Sequence, residues 1–195
     1  MDHQAHHQTS ASVRERRRAP IAFGLSVAAA ATLLMGFALL QSASSGPTDD
    51  GVEPYRLPLS RIWLTRTTIL RPHHDHPATD LYVPQGTPVY AAQAGRVIAT
   101  LHSGSCGTGV VIAGRDGFRY TYCHGSAVFV GGGDVVHSGD RIMSSGNSGS
   151  SGRPHLHFEI EDAQLRLKCP QPLMYSWWRG GQKNPRQAPY GGCSY

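Results

Sequence analysis

Apolar positions along the chain fall into two regimes. Residues 21–40, IAFGLSVAAAATLLMGFALL, run for twenty positions without a charged side chain, about the length a helix needs to cross a hydrocarbon core roughly 30 Å thick. Beyond residue 55 the apolar runs are short, rich in Val, Ile and Tyr, and broken by Gly, Pro, Asp and Asn, which is the punctuation of strands and tight turns. In LYVPQGTPVYAAQAGRVIATL, residues 81–101, turn signals stand at residues 84–86 and at Gly95. GVVIAGRDGFRYTY, residues 109–122, places two strand-like runs around Arg115, Asp116 and Gly117, a hairpin signal. A glycine turn at residues 131–133, the run DVVHSGDRIM, the loop GNSGSSG and the strand HLHFEI follow. The pattern predicts an all-β domain, one antiparallel sheet or a small sandwich, with little helix after the N-terminus and no internal repeat.

Charge orients the apolar stretch. VRERRRAP precedes it, with Arg14, Arg16, Arg17 and Arg18 against Glu15 alone, so the positive-inside rule predicts residues 1–20 in the cytoplasm and the remainder outside. Twenty residues exceed the secretory apolar region of about 7 to 15, which favours an uncleaved transmembrane signal-anchor at 21–41 over a cleaved signal peptide; small residues in QSASSG leave cleavage open. The organisation expected is a basic tail at 1–20, the anchor, a polar linker at 42–60, a folded domain at 61–168 and a tail at 169–195. Beyond Gln41 the chain carries fourteen basic residues against eleven acidic. Such a surface tolerates an anionic polymer and carries no specific nucleic-acid signature.

Four cysteines, Cys106, Cys123, Cys169 and Cys193, are an even number in a chain expected outside the cytoplasm, where disulfides persist. Three pairings are possible. A hairpin turning at residues 115–117 sets residues near 107 and 124 opposite each other, which brings Cys106 beside Cys123 and leaves Cys169 for Cys193. The second bridge would pin CPQPLMYSWWRGGQKNPRQAPYGGC, a tail rich in Pro and Gly. No CxxC spacing favours zinc ligation by these thiols.

Histidines carry the chemistry. His73, His74 and His76 lie with Asp75 and Asp80; His124 follows the hairpin; His155 and His157 alternate on one strand. Residues at i and i+2 of a strand share a face, about 6.5 to 7 Å apart, so two imidazoles point into one space. Imidazole and carboxylate together suit a catalytic zinc, which takes three protein ligands and keeps one position open. His102 and His137 read as solvated turn residues, and His3, His6 and His7 as a polar tail. Gly86, Gly95, Gly117 and Gly146 read as turn glycines needing positive φ, Tyr122 and Phe158 as packing residues, Asn147 as a loop residue, and Trp177 and Trp178 as tail residues packed on the core.

Three blocks in order, HPATDLYVPQGTPVYAAQAGRV, GTGVVIAGRDGFRYTYCHGS and GDVVHSGDRIMSSGNSGSSGRPHLHFEI, resemble the LytM or lysostaphin-type zinc metallopeptidases over roughly residues 70 to 160. The resemblance implies the antiparallel β fold of that family, a Zn2+ cofactor, and hydrolysis of peptide bonds in bacterial peptidoglycan cross-links or stems. It makes Asp80 and His157 zinc ligands and His124 and His155 the uncoordinated catalytic pair, one serving the attacking water and the other the oxyanion. The first block departs from the common HxGxD, since Ala78 stands for the glycine. His76 has the common spacing, whereas His74 matches branches of the form HHDYPAxD, so either is the expected third ligand. Relatives that have lost ligands bind wall or activate other hydrolases, which is the alternative to a membrane-anchored, outward-facing endopeptidase; a secreted enzyme would follow if the anchor were cleaved.

Overall fold

The computed structural model describes residues 51–193. The expected anchor at 21–41 lies outside these residues; among them no helix is long and apolar enough to cross a membrane. Nine strands form one antiparallel sheet: β1 (Thr79–Tyr82), β2 (Pro88–Tyr90), β3 (Gly95–Ser103), β4 (Gly107–Gly114), β5 (Arg119–Val128), β6 (Val135–Val136), β7 (Arg141–Ser145), β8 (His155–Glu161) and β9 (Leu167–Lys168). The spatial order is β1-β8-β5-β4-β3-β6, with β7 joining β5 to β2 and β9 extending from β8. Helix is confined to a one-turn α1 (Arg66–Ile69), α2 (Gln171–Trp178) and two 3-10 turns.

Alternation decides the faces. Leu81, Leu156, Phe158 and Ile160 point into a core that also takes Tyr120, Tyr122, Ile112 and Met143, all essentially inaccessible. Residues one position out of phase, Asp80 and Tyr82 on β1 and His155, His157 and Glu159 on β8, share the opposite face. The core draws in Tyr55 and Leu59, from the stretch read as linker, and Leu173, Met174 and Trp177 of α2.

The hairpin β4–β5 turns where the chain signals it, with Gly117 at φ +85°. Gly86 also has positive φ, but Gly95 and Gly146 do not. Their constraint is close approach instead: a Cβ on Gly95 would meet the Ala113 carbonyl, and one on Gly146 the Gly125 backbone. Cys106 is bonded to Cys123 and Cys169 to Cys193. The tail is more ordered than a pinned loop, because α2 buries three apolar side chains and Gln171 Nε2 donates to the Ala78 carbonyl at 2.6 Å. That bond ties the tail to the segment leading into Asp80.

Candidate active site

Strand register assembles the site. Asp80 on β1 lies opposite His157 on β8, which lies opposite Cys123 on β5, so three adjacent strands present one row, and Tyr82 faces His155 two residues along. Asp80 Oδ1 accepts from His157 Nδ1 at 2.9 Å and has His155 Nε2 at 3.4 Å, while Oδ2 has His73 Nε2 at 3.5 Å. Burial alone would raise the Asp80 carboxyl, but the His155 and His157 imidazoles hold it far below the carboxylate range. His157 Nε2 reaches Glu159 Oε1 at 2.9 Å. Burial opposes charge on His157, yet the two carboxylates outweigh it and push its pKa up to about 9.

The bulge in β5 places His124. Its backbone sits at φ +64°, a left-handed conformation that few non-glycine residues adopt and that marks functional sites when the surroundings enforce it. The surroundings here are the neighbouring Cys106–Cys123 bridge and a bond from the His124 amide to the Cys106 carbonyl at 2.9 Å. His124 Nδ1 donates to the Ser148 carbonyl at 2.8 Å, and burial lowers its pKa. A neutral ring with the proton on Nδ1 leaves the Nε2 lone pair to act. The glycine-rich loop is held for this purpose: Ser148 Oγ accepts from the Thr108 amide and donates to the Gly125 carbonyl. Gly149, at φ +71°, packs so closely on Ser105 and Gly107 that any side chain would collide.

His155 Nδ1 donates to the Arg153 carbonyl at 2.8 Å, and the His124 and His155 rings are 4.6 Å apart. Both imidazoles, with His73, Asp80, Tyr82 and Arg153, line an open cleft of about 430 Å³. A larger hollow of about 510 Å³, between residues 55–61 and Trp177, has no histidine or carboxylate in its walls.

The three histidines before Asp80 take different positions. His74 is solvated, with 80% of its side chain exposed. His76 is half-buried and has a carboxylate at each nitrogen, Asp75 at 2.6 Å and Glu159 at 2.9 Å. His73 is buried to 7% exposure and turns Nε2 toward Asp80. Its Nδ1 stands 2.7 Å from Asp75 Oδ1 without the alignment of a hydrogen bond, and burial lowers its pKa. His73, His76 and His157 bring possible ligand atoms within 4.8 Å of one another, as do His73, His74 and Asp75.

The donor set suits a zinc ion: the Asp80 carboxylate has imidazole nitrogens of His73 and His157 within 3.5 Å, and the His73 Nδ1 has no hydrogen-bond partner among the described residues. The sequence groups His73 with the other histidines without marking it as a ligand, and Glu159, two residues after His157, falls on the same face of β8.

The model of Peptidase family M23 matches residues 74–169. The peptidoglycan DD-endopeptidase ShyA of Vibrio cholerae is 40% identical over 85 residues, 44% of this chain and 20% of that protein. ShyB of the same organism is 30% identical over 114 residues, 54% of this chain and 27% of its own length. The chain thus spans about a quarter or less of these relatives. The catalytic domain of lysostaphin from Staphylococcus simulans superposes with a TM-score of 0.50 at 29% identity, covering 63% of this chain and 87% of that domain. Residues 74–169 thus form a domain of Peptidase family M23.

Proposed function

We propose that the protein is a zinc metalloendopeptidase that hydrolyses peptide bonds in peptidoglycan cross-links or stem peptides. The observation that carries this reading is the row of Asp80 and His157 with His73 closing on it and the His124–His155 pair alongside, with Asp80, His73, His124 and His155 opening into one cleft. The substrate class follows from relatives named as DD-endopeptidases. Residues 21–41 would hold the domain at the outer face of the cytoplasmic membrane, where that polymer lies.

Asp80, His157 and His73 would hold the ion. His73 is preferred over His74, which is solvated, and over His76, whose nitrogens reach Asp75 and Glu159 whereas His73 turns Nε2 to Asp80. Bound there, zinc supplies Lewis-acid polarisation of a carbonyl and a water acidic enough to lose its proton near neutral pH. The side chains do the remaining work. His124, neutral and oriented by the Ser148 carbonyl, can accept a proton at Nε2. His155, oriented by the Arg153 carbonyl at Nδ1, presents Nε2 to the same space and, as the doubly protonated imidazolium, can donate to an oxyanion or a leaving amine. Glu159 steadies His157 and His76 from behind. A wall-binding partner without activity is the weaker reading, because every residue type the chemistry needs is in place.

The test is release of new amine termini and muropeptides from sacculi by the purified chain, with zinc and with a chelator. Zinc-dependent release is expected; no release by folded protein holding one zinc per chain would defeat the endopeptidase reading. His73→Ala should lose the ion and His74→Ala should keep it, read by metal analysis. Retention by His73→Ala would return the third ligand to His76.

A further inference from the structure

Arg153 has two ends with separate tasks. Its carbonyl accepts from His155 Nδ1 at 2.8 Å and so helps to set the orientation of that ring. Its guanidinium carbon stands over the Tyr82 ring, 3.6 Å from the ring centre, and the residue forms part of the cleft wall. Stacking of this kind fixes the plane of the guanidinium and leaves its N–H donors pointing outward from the edge. Two arginines in the domain are paired with carboxylates, Arg119 with Glu161 at 2.6 Å and Arg166 with Asp162 at 2.7 Å. Arg153, by contrast, meets no carboxylate among the described residues. The one acidic group in the cleft wall, Asp80, is occupied by three imidazoles. A second guanidinium, Arg71, stands 5.7 Å from the same tyrosine ring.

We propose that the Arg153 guanidinium is a carboxylate-binding subsite, which makes the enzyme prefer a peptide with a free carboxylate near the scissile bond over the same peptide amidated there. A planar fork with unpaired donors matches a carboxylate bidentately, and a carboxamide has one acceptor oxygen and no charge. Reach sets the position. The Tyr82 and His155 rings are 5.3 Å apart, so the guanidinium lies within about 9 Å of the His155 ring, or at most three residues of extended peptide at about 3.4 Å each. The inference rests on the endopeptidase reading and adds a substrate preference to it.

The experiment uses the full chain loaded with zinc and two cross-linked stem peptides, identical except that the carboxylates flanking the cleaved bond are free in one and amidated in the other. The wild type should favour the free acid by about tenfold in kcat/KM. Arg153→Gln should bring that ratio close to one, mainly through KM on the free acid, and Arg153→Lys should restore part of it; zinc content should not change. An equal rate on both peptides by the wild type, or a ratio that survives Arg153→Gln, would overturn the subsite. Cleavage of neither peptide would overturn the endopeptidase reading and the subsite with it, an outcome separate from loss of the ratio.

Discussion

Two carboxylates of this domain, the half-buried Asp80 and the buried Asp116, have opposite characters. Asp80 is surrounded by His73, His155 and His157 and remains charged in spite of burial. Asp116, in the β4–β5 turn and 5% exposed, accepts from the hydroxyls of Tyr55 at 3.0 Å and Tyr120 at 2.5 Å and from the Phe118 amide at 3.1 Å. Those donors are neutral, burial dominates, and its carboxyl is pushed up. Imidazoles can give up protons and turn lone pairs toward a divalent ion, whereas hydroxyls and an amide fixed as donors cannot. The difference separates a place whose donors suit a metal from a place that holds chain segments together: Tyr55 stacks on Trp177 and accepts from Asn184, so Asp116 ties the start of the domain to its tail.

The largest effect should come from breaking the contrast at its charged end. Asp80→Ala should take the zinc content from one ion per chain to nearly none and activity to background, whereas Asp116→Asn should keep its zinc; metal analysis after gel filtration reads both. An Asp80→Ala protein that retains stoichiometric zinc would end the distinction. Next in size, His124→Ala and His155→Ala should each slow cleavage by about 10²- to 10⁴-fold, the range for general acid-base groups, with zinc retained. Loss of the ion in either would make that histidine a ligand rather than a proton carrier.

The charged end was the more legible in sequence. HxH on a strand can only place His155 and His157 on one face, and the hairpin signal around residues 115–117 places Cys106 by Cys123, next to His124. The third imidazole was harder to choose, since spacing from Asp80 favours His74 or His76. Which ring turns inward depends on the path of residues 71–78, fixed by Gln171 of the tail and by Glu159 holding His76. No local pattern encodes contacts across roughly 80 to 100 residues. The Asp116 network was invisible for the same reason: a turn aspartate reads as a turn residue until Tyr55 and Asn184 arrive from both ends of the domain. Helix α2 was passed over because prolines and glycines surround it, although Leu173, Met174 and Trp177 share one face.

A smaller effect should sharpen the charged end. Glu159 accepts from both His157 and His76, and removing a carboxylate behind a ligating histidine costs about 10- to 100-fold in metal affinity. Glu159→Gln should weaken zinc by that factor in competition with a chelating dye while leaving one ion bound at saturation. An unchanged affinity would leave Glu159 a packing residue.

The smallest effect tests the neutral end, and its sign is the informative part. Because burial raises the Asp116 carboxyl above its ordinary 3.8, the folded chain holds that proton more tightly than the unfolded chain does. The stability so gained is complete below about pH 4 and is lost as pH rises through the folded value. Asparagine keeps the neutral shape and has no proton to lose. Asp116→Asn should therefore cost about 1–3 kcal/mol through imperfect pairing of the buried donors, with a deficit that shrinks from pH 4 to pH 7. Denaturant midpoints of variant and wild type at each pH give this difference, and the pH dependence of metal binding cancels between them. A deficit that grows toward pH 7 would mean that the two tyrosines stabilise a charged carboxylate, and that Asp116 resembles Asp80 more than its surroundings imply.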